Sequence, residues 1–160
     1  MVEVRRIAGH EGELLRALRL ASLADSPGDS TTSLRREEAR GAEHWAEAAA
    51  ANASGPLHAT FVVEDAGLVG AYSNRDGTVN VVGLWSAPGH RDVGVASALL
   101  EAVARWALRE AGARRLRIWV VERNSYAMAF YEKEGFVATG CEIPYQPEPA
   151  IRQLEMVREL

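Results

Sequence analysis

The 160-residue sequence has one cysteine, Cys141, so no disulfide can form within the chain. That excludes a disulfide-stapled secreted scaffold and points to a reducing compartment. Lysine is almost missing too: of 18 basic residues only Lys133 is a lysine. Basic residues do not outnumber the 22 acidic ones, and the formal net charge is −4. Without a basic excess or stripe, no nucleic-acid partner is expected. No apolar run approaches the ~18 residues that a membrane span needs. The opening residues, MVEVRRIAGHEGELLR, contain no signal-peptide core. The expected location is the cytoplasm, with no membrane association.

Reaction classes fall away in the same manner. The four histidines, His10, His44, His58 and His90, are scattered and form no H-E-x-x-H pair. With a lone cysteine besides, neither a structural nor a catalytic zinc site is supported, and no metal is expected. No G-x-S-x-G elbow exists, which argues against an α/β-hydrolase. Residues 89–94, G-H-R-D-V-G, look superficially like a phosphate loop. Val95 and Ala96 then stand where a Walker motif needs Lys and Ser or Thr, and the G-x-G-x-x-G of a dinucleotide fold is missing.

What is present is a globular composition, 48% hydrophobic and 25% charged, of a length suited to one domain over residues 1–160. Weak alternation over 2–7 predicts a first strand. Leu14, Leu15, Leu18 and Ala21 recur at helical spacing up to a breaker cluster at 25–28. A second helix is predicted over 34–51. Strands follow at 58–64, 68–73 and 78–86, joined by tight turns. Gly83 interrupts the third of these, as a bulge or a close backbone approach would require. A long helix over 93–111, a buried strand over 116–121, a short helix over 125–134 and strands at 136–143 and 151–159 complete the order β-α-α-β-β-β-α-β-α-β-β. Residues 144–149 read as a proline-rich connection, and Cys141 as a buried strand thiol. The fold class is α/β (α+β), a mixed, mainly antiparallel sheet.

Between the third of these strands and the long helix lies R-D-V-G-V-A, Arg91 to Ala96. The first amides of a helix lack internal partners and sit at the positive end of its dipole, which makes an anion site suited to pyrophosphate. Small residues at Gly94 and Ala96 let a ligand approach the main chain. The same residues would equally permit tight helix packing, and both readings stand on this fragment alone.

About thirty residues on comes N-S-Y-A-M-A-F-Y-E-K-E-G-F, from Asn124 to Phe136. R-x-x-G-x-A opening a long helix, then N-x-x-A-x-x-x-Y-x-x-x-G-F after the next strand, resembles the GNAT superfamily of acyl-CoA-dependent N-acetyltransferases. The segment R-L-A-S-L-A-D-S-P and the closing E-M-V-R-E-L are similar to a group of small bacterial members. The resemblance implies a GNAT-like sheet with helices on both faces and acetyl-CoA as cosubstrate. It implies a pyrophosphate cradle at Arg91, Asp92, Val93, Gly94, Val95, Ala96 and Ser97, and a pantetheine-binding strand at Leu84, Trp85 and Ser86. One amide of that strand would polarise the thioester carbonyl. Asn124 would contact the pantetheine region or simply cap a helix. Tyr131 would donate a proton to the departing thiolate, or only pack. Gly135 and Phe136 read as a helix stop and a core aromatic.

A general base is not identifiable: neither flanking strand carries a carboxylate within its body. Glu64, Tyr72, Glu122 and Tyr145 are the candidates. The implied acceptor is a primary amine, on a small molecule or a peptide, and a homodimer is allowed. Asp29, Glu37, Glu38, Glu43 and Glu47 around the second helix favour a cationic amine. A CoA-binding sensor without activity and a protein lysine or N-terminal acetyltransferase remain open at this point.

Overall fold

The alternating apolar pattern of residues 58–86 folds into an antiparallel meander of β2 (His58–Val63), β3 (Gly67–Ser73) and β4 (Thr78–Ser86). Four further strands flank it: β1 (Arg5–Arg6), β5 (Arg115–Val121), β6 (Val137–Tyr145) and β7 (Glu148–Glu159). The computed structural model describes residues 2–160. It arranges the seven strands in the order β1-β2-β3-β4-β5-β7-β6, with β4–β5 the parallel pair and every other neighbour antiparallel.

Successive strand residues alternate between two cores. Phe61, Val69, Val81 and Leu116 pack under α4 (Val95–Arg109) and α5 (Ser125–Lys133) on one face. Val62, Leu68 and Ile7 pack under α1 (Gly12–Asp25) and α3 (Ala42–Asn52) on the other. Helix α4 inserts Leu99, Leu100, Val103 and Ala107, all inaccessible to solvent, and each buried leucine contributes about 2 kcal/mol. No helix among the described residues is long and apolar enough to cross a membrane.

Four expectations change. The helix predicted over 34–51 is two, α2 (Leu34–Glu38) and α3, because Gly41 adopts an extended backbone and starts the second one. Ser33 caps α2 by accepting from the Arg36 amide at 3.1 Å. The first strand pairs with β2 only at Arg5 and Arg6. The Arg5 guanidinium grips Glu11 at 2.6 Å and Glu64 at 2.7 Å, and this partner holds the Glu11 carboxyl down to about 2. Residues 144–149 are not a long connection: β6 and β7 form a hairpin turning at residues 146–147. Proline is tolerated at Pro144 because β6 is an edge strand, where a missing N–H need not leave a neighbour unpaired. For the same reason Cys141, expected to be buried, is exposed on β6.

Candidate active site

Strands β4 and β5 pair only at Thr78–Arg115, Val79–Leu116 and Asn80–Arg117. Both then continue without each other, β4 to Ser86 and β5 to Val121, so a gap opens between them. A bulge in β4 adds to it. Leu68 faces Trp85 but Gly70 faces Val82, so three steps on β4 oppose two on β3. Gly83 supplies the extra residue at φ +62, a left-handed conformation that side chains resist.

Beyond the gap lies a cleft of about 760 Å³. Leu84, Trp85 and Ser86 form one wall. Arg91, Asp92, Gly94, Val95, Ala96 and Ser97 form its end, and Asn124 and Tyr131 its far side. The fold thus brings together eleven of the twelve residues singled out in the sequence. The twelfth, Val93, is 59% exposed and lines a separate depression beside Arg5 and Glu64.

The end wall is main chain. Asp92 at φ +65 and Gly94 at φ +87 wind the loop so that Gly94 caps α4. The Gly94 carbonyl accepts from Ala98 at 3.0 Å, and the amides of residues 95–97 precede the helix's own bonding pattern. A Cβ built at Gly94 meets no atom within 4 Å. The packing role therefore has nothing to act on at this glycine. That role falls to Gly67, where an added Cβ would lie 2.5 Å from the Trp85 carbonyl oxygen and 3.1 Å from Val95 Cγ1.

Groups invisible to the motif complete the site. Asp25, at the end of α1, accepts from Trp85 Nε1 at 2.9 Å and pairs with the Arg91 guanidinium. The Trp85 and Arg91 hydrogen bonds hold its carboxyl below the ordinary aspartate range. Arg91 also donates from Nε to the Ser86 carbonyl at 3.1 Å, so it is tied to the wall it extends. Asn124 does two jobs. Its Oδ1 caps α5 by accepting from Ala127 at 3.0 Å, and its Nδ2 donates to Asp29 at 2.9 Å, fastening the α1–α2 loop across the cleft. Ser97 donates to Glu134, and His90 and Lys133 add basic groups at the rim. D-S-P at 25–27 marked Asp25 only as part of a helix stop, and Asp29 was marked only as one of five acidic residues around the second helix; Lys133 and Glu134 carried no signal as cleft residues.

The Tyr131 ring packs edge-on against Phe130 and Phe136, with centroids 5.3 and 5.5 Å away. Burial, and then the charge of Asp29, push its phenol above its ordinary pKa, so it stays protonated at neutral pH. None of the four residues entertained as a base lines the cleft. Glu64 is held by Arg5, and Glu122 accepts from the Arg152 amide. Tyr145 donates to the Ser30 carbonyl at 2.5 Å, and Tyr72 is 41% exposed. Asp29 is an aspartate that does line the cleft, and of the five acidic residues expected around the second helix it alone is there. Glu37 is buried against Arg40 at 2.6 Å.

A splayed parallel strand pair leading to a glycine-opened helix N-terminus defines an acyl-CoA transferase type of scaffold. Residues 20–136 match the model of the acetyltransferase (GNAT) family, and the chain belongs to that family. Among solved structures it is similar to an acetyltransferase of the GNAT family from Streptococcus pneumoniae, with 21% identity, 100% of this chain and 99% of that chain covered, and a TM-score of 0.80. It is similar also to the PaiA N-acetyltransferase from Thermoplasma acidophilum in complex with coenzyme A, with 15% identity, 100% and 99% covered, and a TM-score of 0.72. Nourseothricin acetyltransferase is 29% identical over 65% of this chain and 66% of its own, with a TM-score of 0.59. No curated protein matches the chain in sequence.

Proposed function

We propose that this chain, acting as one domain, transfers the acetyl group of acetyl-CoA to a primary amine by direct attack in a ternary complex. The observation that carries the reading is the open space in front of Gly94, at the helix end of a cleft whose near wall is the unpaired edge of β4. The chain's groups suit this cosubstrate. The α4 amides and Arg91 offer an anion site for the pyrophosphate, with Arg91 exchanging Asp25 for phosphate oxygens. The free β4 edge at residues 84–86 offers main-chain hydrogen bonds to the pantetheine amides. Acetyl-CoA supplies an activated acyl thioester.

The amine nitrogen forms its bond to the carbonyl carbon, and the carbon–sulfur bond breaks. A β4 amide bears the negative charge that develops on the carbonyl oxygen. The Tyr131 phenol donates to the leaving sulfur, and the amine's surplus proton leaves through water. Asp29 draws a cationic acceptor toward the cleft.

Two measurements test the reading. Calorimetry with chelator present should show acetyl-CoA binding at or below millimolar concentration, and an amine panel should release free thiol. Undetectable binding would sink the enzyme. Binding without turnover of any amine or peptide would leave a CoA sensor.

The cradle has a separate check in Gly94→Asn. Asparagine tolerates the left-handed conformation, whereas valine, being β-branched, would be strained at φ +87 whatever the space. The variant should melt within a few degrees of the parent. Its affinity for CoA and for desulfo-CoA should fall alike, by about tenfold, or 1.4 kcal/mol. Unchanged affinity would remove phosphate from this loop.

A further inference from the structure

An amine that attacks a thioester must shed a proton, and three carboxylates and one imidazole line the cleft: Asp29, Asp92, Glu134 and His90. Their positions separate them. His90 and Asp92 flank Arg91 in the loop that opens α4, at the phosphate end. Glu134 closes the far end of α5 and accepts from the Ser97 hydroxyl on α4. Asp29 stands at the other end of α5, against Asn124, which starts that helix. Tyr131 lies about two turns further along the same helix face. Helical side chains lean back toward the helix start, so the phenol points from Tyr131 toward Asn124 and Asp29. The charge of Asp29 acts on that phenol. Of the four groups, Asp29 is the one that shares the acyl end of the cleft with the proton donor.

The segment that carries Asp29 is pinned at three successive residues. Arg123 donates to the Gly28 carbonyl at 3.3 Å, Asn124 Nδ2 donates to Asp29 Oδ1 at 2.9 Å, and Tyr145 donates to the Ser30 carbonyl at 2.5 Å. None of these tethers cancels the Asp29 charge. Arg123 spends its own charge on Glu148 at 3.0 Å, and Asp29 makes no ion pair among the described residues. Its second oxygen, Oδ2, accepts no hydrogen bond from them either. An exposed aspartate is thus held in place while one of its oxygens stays free at the cleft. A group fixed in position before substrate arrives is what proton transfer in a bound complex needs.

We propose that the Asp29 carboxylate is the general base of the transfer, receiving through one water the surplus proton of the attacking amine. The inference rests on the acetyltransferase reading above. As the bond from nitrogen to the carbonyl carbon forms, the nitrogen gains positive charge, and its N–H becomes acidic enough for a carboxylate to take the proton. The N–H electron pair stays on nitrogen. The carbon–sulfur pair leaves with sulfur, which takes the Tyr131 proton. The Tyr131 phenolate, a far stronger base than a carboxylate, then recovers the proton held at Asp29 through water. Both residues end the cycle as they began it, and amine plus thioester become amide plus thiol.

The test is Asp29→Asn, which removes the base but keeps an oxygen for Asn124 to donate to, so the loop stays tethered. With the best amine of the panel and saturating acetyl-CoA, kcat should fall at least about a hundredfold. Single-turnover thiol release should slow by the same factor, while acetyl-CoA affinity stays within about twofold of the parent. Asp29→Glu, which restores a carboxylate, should recover at least about tenfold in kcat over Asp29→Asn. Asp29→Ser removes the carboxylate by another route and should match Asp29→Asn, so a folding defect in one variant does not decide the outcome. A raised KM with kcat unchanged would mean that Asp29 only attracts a cationic acceptor, and that result overturns the proposal. Both constants unchanged would make Asp29 a loop tether and overturn it too. Either result, in a chain whose parent turns over amines, leaves the acetyltransferase reading standing. Acetyl-CoA binding with no turnover of any amine by the parent overturns that reading, and this inference with it.

Discussion

Tyr131→Phe should lower kcat by one to three powers of ten while acetyl-CoA affinity stays within about twofold, the pattern of a group needed as the leaving sulfur gains charge. The substitution keeps the ring that packs against Phe130 and Phe136, so the fold loses little. What it deletes is a proton donor in a buried site, where a hydrogen bond to a developing charge is stronger than in water. The raised phenol pKa shapes the expectation further. Tyr131 does not ionise in the range where a free phenol would, near pH 10. The pH profile of kcat should therefore show no falling limb from this residue up to about pH 10. Stopped-flow thiol release, which isolates chemistry from product release, is the measurement. Unchanged turnover under rate-limiting chemistry would reduce Tyr131 to packing.

The parts of the site that were legible in the sequence are those carried by contiguous main chain. R-x-x-G-x-A announces a helix start because glycine and alanine leave backbone bare, whereas the left-handed turn at Asp92 carried no sequence signal. The β4 bulge was legible for the same reason, through one glycine in a β-branched run. Side chains arriving from distant segments were not. Asp25 lies 66 residues from Arg91 and Asp29 lies 95 from Asn124, and nothing local marks either as a partner.

Helix α3 and its neighbour show the complementary failure. Alanine-rich residues 42–51 have strong helix propensity, which carried the predicted helix through Gly41. The extended backbone at Gly41 separates the two helices. That break matters for the site, because Glu37, at the end of the first of the two helices, is buried against Arg40 and also acts on Arg19, and so does not face the cleft. The acidic count around this segment thus overstated how much negative charge faces the acceptor.

The two glycines flanking the cradle should respond oppositely, and Gly67→Ala should be the more damaging. Its backbone needs no left-handed conformation, so the effect is purely steric. The new methyl would sit 2.5 Å from the Trp85 carbonyl oxygen, 3.1 Å from Val95 Cγ1 and 3.2 Å from Leu99 Cδ1. Two of these neighbours belong to the first turns of α4, and the third is main chain held in register by the Leu68–Trp85 and Gly67–Ser86 pairs. The closest of the three atoms is main chain and the two side-chain ends are packed in the core, so either β4 or α4 must move. Overpacking of this kind costs about 3 kcal/mol, which for a chain of this size lowers Tm by roughly 6–12 °C.

The displaced elements also carry the proposed cosubstrate contacts. The Ser86 carbonyl that anchors Arg91, and the Ala87 amide that donates to Ala66 at 2.7 Å, both shift with the strand end. Acetyl-CoA affinity should therefore fall at least tenfold even well below the melting temperature. Gly94→Asn, by contrast, should lose affinity while keeping its melting temperature. Differential scanning fluorimetry paired with calorimetry at low temperature reads both quantities on the same samples. A Gly67→Ala protein that melts with the parent would mean the strand end is free to retreat, and the wall of the cleft would then be plastic instead of preformed.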